Sequence, residues 1–132
     1  KLVLSPTRTY APLIQRILKE GRSDIHAIIH CSGGGQTKVN HFAKNIHIIK
    51  DQLFELPPLF RMIQKESNTD WKEMYQVFNM GTRMEIYCKA EAADEIISIS
   101  KSFGVEAQII GRCEASAQPK LTIESEFGKF EY

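Results

Sequence analysis

The stretch that decides the fold is His26-Ala27-Ile28-Ile29-His30-Cys31-Ser32-Gly33-Gly34-Gly35. Its first six residues form a short, mostly apolar run of strand length. Ser32 and three glycines then break the run. Beyond them Val39, Phe42 and Ala43 mark one face of a short helix. Glycine lets a backbone turn sharply and approach another group closely. The reading is strand, glycine turn, helix, a unit of a layered α/β architecture.

Upstream, Thr9 reads as an N-cap, and Tyr10, Leu13, Ile14, Ile17 and Leu18 follow at helical spacing. Pro12 falls in the first turn, where its missing N–H does no harm, and Gly21 marks the end. Residues 2–4 are a short apolar stretch before a polar turn. Downstream, residues 46–49 predict a strand. Pro57-Pro58 opens a helix with Leu59, Met62 and Ile63 as its core face. Asp70 and Glu73 have capping-box spacing ahead of an apolar stripe of Trp71, Met74, Tyr75 and Phe78. Asn79 and Gly81 make a turn. Met84, Ile86 and Cys88 alternate with Arg83, Glu85 and Tyr87 as in a strand. Ala92, Ala93, Ile96, Ile97 and Phe103 predict a helix that stops at Gly104. Residues 105–111 predict a strand, and residues 121–123 and 129–132 a closing hairpin around Gly128. The expected fold is α/β (α+β): a mixed β-sheet covered by helices, with residues 1–132 as a single domain.

Bulk composition narrows the function. Seventeen Lys and Arg face sixteen Asp and Glu, and the net charge of +1 creates no general field for nucleic acid or an anionic membrane. Any anion site must be local. Three cysteines without regular spacing, Cys31, Cys88 and Cys113, argue against a disulfide framework and against a zinc site, and fit a cytoplasmic protein. No apolar run approaches a membrane span. The abrupt start at Lys1 reads as a piece of a longer polypeptide.

The candidate site is the glycine loop, Ser32, Gly33, Gly34 and Gly35, whose N–H groups and following helix can hold a phosphate-sized anion. It lacks the spacing of a Walker loop and of the dinucleotide fingerprint. An unliganded tight turn is the competing reading. Lys38, one turn on, can add charge. His30 precedes the loop and can donate to a phosphate or acyl oxygen, or be an ordinary core histidine. Cys31 alternates with it and should face the opposite way. Arg8 can clamp an anion with two N–H groups or be solvated. Asn79 can bind a ligand or cap its turn. The remaining Lys and Glu residues read as solvated faces. No metal ligand set stands out.

These segments together resemble the C-terminal domain of aminoimidazole ribonucleotide synthetase (phosphoribosylformylglycinamidine cyclo-ligase). The matching residues are Leu4-Ser5-Pro6-Thr7-Arg8-Thr9-Tyr10, His30-Cys31-Ser32-Gly33-Gly34-Gly35, and Leu56-Pro57-Pro58-Leu59-Phe60. They continue with Glu73-Met74-Tyr75, Phe78-Asn79-Met80-Gly81, Met84, and Ile109-Ile110-Gly111-Arg112. Where the family has Ile-Thr, this chain has Cys31-Ser32, which keeps the hydroxyl. After the glycines the family continues with apolar residues; here Gln36-Thr37-Lys38 follows. The resemblance implies one half of a two-domain enzyme that uses ATP and Mg²⁺ to cyclise formylglycinamidine ribonucleotide in purine biosynthesis. It implies a phosphorylated ribonucleotide substrate held in an interdomain cleft, an absent N-terminal ATP-binding domain as partner, a homodimer when complete, and an inactive isolated domain. Selenophosphate synthetases, thiamine-monophosphate kinases and hydrogenase-maturation proteins share that superfamily. A non-catalytic module that binds a phosphorylated metabolite is the alternative outside it.

Overall fold

A computed structural model of the chain describes residues 8–132, so residues 2–4 and Ser5-Pro6-Thr7 of the expected N-terminal motif lie outside the described residues. The chain divides into two compact units. One comprises the described residues up to Ile28 together with Ile86–Ile109, and the other Ile29–Glu85 with Ile110–Tyr132.

Among its described residues the first unit holds two α-helices. Helix α1 spans Ala11–Gly21 and buries Leu13 and Ile17, one turn apart on one face. Its N-cap is Tyr10 rather than Thr9, and no side chain caps it. Pro12 sits at the start, where the free N–H positions make it harmless. Helix α4 spans Ala93–Ser102 and packs on α1. Phe103 was expected on its core face. It falls beyond the last helical residue and stands 44% exposed. Gly104 follows with φ +65, a left-handed stop that glycine adopts freely.

The second unit is built on a four-stranded sheet in the order β4-β2-β5-β6, where β2 is Ile46–Lys50, β4 Gly111–Ala115, β5 Lys120–Ser125 and β6 Gly128–Glu131. Strands β2 and β5 are parallel, while β4 and β6 run antiparallel to their neighbours, which makes the sheet mixed as expected. Ile48 pairs with Leu121, and Ile49 with Thr122. Ile48, Ile49, Leu121, Thr122 and Ile123 are all buried. Strands β1 (Ile25–His30) and β3 (Met84–Cys88) form a separate two-stranded sheet.

Helices α2 (Pro58–Ser67) and α3 (Trp71–Val77) lie between β2 and β3 in sequence. The Asp70 carboxylate accepts the Glu73 N–H at 2.9 Å, the predicted cap. Met74 and Tyr75 form the buried part of the expected stripe. Trp71 stacks on Phe127 instead, with ring centroids 3.6 Å apart. Met62, expected in the core, is 48% exposed.

Two predicted elements differ. Residues 105–110 are not a strand, because β2 ends at Lys50 and the ladder with β4 starts only at the Lys50–Gly111 pair. The Ile110 carbonyl accepts from Asp51 and Gln52 instead, which closes the ladder. The segment after the glycine loop is a 3-10 helix, Gly35–His41, rather than an α-helix. Val39 is buried there as expected, while Phe42 is 63% exposed.

Candidate functional site

The chain leaves β1 at His30 and turns at once. The Ser32 N–H donates to the His30 carbonyl at 2.8 Å, and the Gly35 N–H to the Ser32 carbonyl at 3.4 Å. Gly34 and Gly35 adopt φ +84 and +49. A side chain at Gly35 would place its Cβ 2.5 Å from the Phe78 carbonyl oxygen, so the backbone of this turn lies directly on that of the next. Gly33 has neither constraint: nothing lies within 4 Å of where its Cβ would stand. Gly33 and Gly34 are exposed, and among the described residues neither N–H has a hydrogen-bond partner.

Lys38 reaches back over the loop. Its ammonium donates to the His30 carbonyl and to Ser32 Oγ, each at 3.0 Å. A positive charge is thereby pinned beside two unpaired N–H groups. The 3-10 helix is seven residues long, so the helix dipole invoked for this site contributes little. The electropositive character comes from Lys38 and from loop N–H groups. An open cavity of about 640 Å³ adjoins the loop, lined by Gly33, Gly34, Thr37, His41, Lys72 and Glu73 among others.

The expected site residues divide. His30, Ser32, Gly33, Gly34, Gly35, Lys38 and Asn79 all belong to the second unit. The His30 side chain is exposed, and its carbonyl organises the loop. Asn79 Oδ1 accepts the Gly81 N–H at 3.0 Å and its carbonyl accepts from Gln36, so this residue shapes the neighbouring turn. Arg8 belongs to the first unit, where its guanidinium donates to the Gly104 carbonyl at 2.9 Å. Cys31 faces inward, 2% exposed. Burial, reinforced by the nearby Glu85 carboxylate, pushes its thiol up to about 12. It is a packing residue, not a nucleophile.

Three residues were missed. Gln36, Lys50 and Glu85 are 1%, 1% and 4% exposed and lie under the loop. The Lys50 ammonium pairs with the Glu85 carboxylate. It also donates to the Gln36 carbonyl at 2.7 Å and to Gln36 Oε1 at 3.0 Å. Gln36 Nε2 in turn donates to the Asn79 carbonyl at 2.6 Å. Glu85 was read on the outer, polar face of β3, and Lys50 as a solvated charge. Each compensates the other's burial, and that pairing has no local signature in sequence.

The described residues hold no group of three or more His, Cys, Asp or Glu that can bind a metal ion.

The fold and the loop define an α/β domain with an exposed glycine turn and the Lys38 ammonium folded over it. Residues 4–124 match the family described as AIR synthase related protein, C-terminal domain, and the chain belongs to that family. It is 33% identical over 127 residues to a phosphoribosylformylglycinamidine cyclo-ligase of Methanococcus vannielii, covering 96% of this chain and 35% of that protein. The enzyme of the same name from Methanopyrus kandleri is 32% identical over 113 residues, covering 85% of this chain and 32% of that protein. The chain thus spans about a third of the length of these relatives. The crystal structure of E. coli HypE, a hydrogenase maturation protein, superposes with a TM-score of 0.64 at 20% identity, over 95% of this chain and 39% of that one. A chain in the crystal structure of a HypE–HypF complex gives 0.67 at 19%, over 97% and 41%. These structures share the fold.

Proposed function

We propose that this chain supplies the phosphate-holding wall of the substrate cleft in an ATP-dependent cyclo-ligase, which converts formylglycinamidine ribonucleotide to aminoimidazole ribonucleotide in purine biosynthesis. The observation that carries this reading is the pair of unpaired N–H groups at Gly33 and Gly34 beside the Lys38 ammonium. Cyclo-ligase relatives at about 30% identity favour that chemistry over the hydrogenase-maturation type, whose likeness is at the level of fold.

In such a reaction the formyl oxygen attacks the γ-phosphorus of ATP and ADP leaves. A nitrogen of the substrate then attacks the activated carbon, phosphate departs with the C–O bond, and a proton is lost. Phosphate leaves far more readily than an amide-type oxygen. The protein's task is positioning and charge stabilisation. Here Gly33, Gly34, Ser32 and Lys38 hold the ribonucleotide phosphate. The nucleotide, its Mg²⁺ and a homodimer contact are assigned to an N-terminal domain within the part of the relatives that this chain does not span. The enzyme works in the cytoplasm. No helix among the described residues is long and apolar enough to cross a membrane.

The test is an NMR titration of the protein with formylglycinamidine ribonucleotide. The Gly33 and Gly34 amide resonances should move, and Lys38→Ala should weaken binding roughly tenfold or more, as expected for a charge-assisted hydrogen bond. Movement of other amides with Gly33 and Gly34 unaffected overturns the reading.

A further inference from the structure

We infer that Lys50 is a positioning residue for the glycine loop: its buried ammonium, clasped by Gln36 and Glu85, holds the loop in the geometry that presents Gly33 and Gly34. The inference rests on reading that loop as an anion site.

The geometry supports a role beyond filling the core. A lysine buried to 1% exposure needs a counter-charge and acceptors for its remaining donors. Glu85 provides the charge. The acceptors both come from Gln36, the residue that follows Gly35 directly. The ammonium therefore grips the loop by its backbone and by its next side chain. Gln36 then passes the hold to Asn79 through Nε2. Asn79 fixes the turn against which Gly35 is packed, since the Phe78 backbone leaves no room for a Cβ at Gly35. Two turns, residues 32–36 and 78–81, are thus tied to β2 and β3 through one ammonium group. Without the Lys50 ammonium the buried Gln36 Oε1 would lose its donor, so the amide is paired at both ends only with Lys50 in place.

The alternative is that the network stabilises the fold and nothing else. Hydrogen exchange separates the two, because the Gly35 and Thr37 N–H groups are bonded inside the loop region and the Leu121 N–H is bonded to Tyr132 in the sheet. The variant is Lys50→Met with Glu85→Met, which removes both charges while keeping apolar volume, a replacement that buried ion pairs tolerate. Exchange at Gly35 and Thr37 should rise at least tenfold while exchange at Leu121 stays within twofold. Binding of inorganic phosphate should weaken at least fivefold. If the double variant does not fold, Gln36→Met keeps the ion pair and cuts the side-chain links, and the same selective rise is expected.

Loop exchange that is unchanged, or that rises in step with Leu121, overturns the positioning role. Absence of phosphate binding by the unmodified protein overturns the anion-site reading instead, and the exchange comparison still decides the role of Lys50.

Discussion

Gly33 and Gly35 are two residues apart and glycines for different reasons. At Gly35 the reason is internal: φ is +49, and the Phe78 carbonyl oxygen occupies the space of a Cβ. At Gly33 the fold imposes nothing, for φ lies outside the left-handed range and the space is open. An alanine at each position should separate fold from function. Gly35→Ala should destabilise the protein by about 2–3 kcal/mol, from left-handed strain plus a backbone clash. Gly33→Ala should leave stability within about 0.5 kcal/mol, yet weaken phosphate binding at least fivefold, because a methyl group would crowd its exposed N–H. Urea unfolding and a phosphate titration of both variants check this. Equal binding by Gly33→Ala and the unmodified protein would mean the loop is only a turn. The glycine turn after the strand was legible in sequence. Their division of labour was not, because it depends on Phe78, a residue more than forty positions away. Lys50 and Glu85 were hidden for the same reason. A buried charge is recognised by its partner, and the partner is supplied by the fold.

Among the elements, strands with clear alternation or a tight turn beside them were the easiest to foresee. The β5–β6 hairpin around Gly128 and the strand at Met84–Cys88 follow from alternation and turn chemistry. Residues 105–111 have strand-forming composition, but a strand also needs a partner, and β2 ends too soon to give one. Only Gly111 of that stretch joins the ladder, opposite Lys50. Its glycine is required by close approach: a Cβ there would stand 1.9 Å from the Ile49 carbonyl oxygen. The Gly111-Arg112 pair is therefore a structural feature of the sheet edge. Arg112 completes it with ion pairs to Asp51 and Glu114 at 2.5 and 2.8 Å. These pairs are exposed and worth little individually. Gly111→Ala should cost about 3 kcal/mol or prevent folding, since the clash is with backbone that cannot rotate away. Gly21→Ala, at a site with open space around it, should be neutral or slightly stabilising. Comparable unfolding midpoints for the two variants would contradict the close approach at Gly111.

For the molecule as a whole, what matters is which chemistry its residues can support. The described residues offer exposed N–H groups, one pinned lysine and a buried network. Phosphoryl transfer from ATP depends on a cation to neutralise charge between the β- and γ-phosphates. The proposed phosphate wall accounts for one reactant, and the chain spans about a third of the length of its cyclo-ligase relatives. The 132-residue chain, given ATP, Mg²⁺ and formylglycinamidine ribonucleotide, should therefore release no ADP and form no aminoimidazole product above the uncatalysed background. The same mixture should still show the ribonucleotide protecting the Gly33 and Gly34 amides. Binding without turnover is the signature of a half-site, and it separates this reading from two others. Turnover by the chain alone would require a second set of catalytic groups outside the loop. Failure to bind the ribonucleotide, with inorganic phosphate still bound, would point to a module for a different phosphorylated metabolite on the same fold.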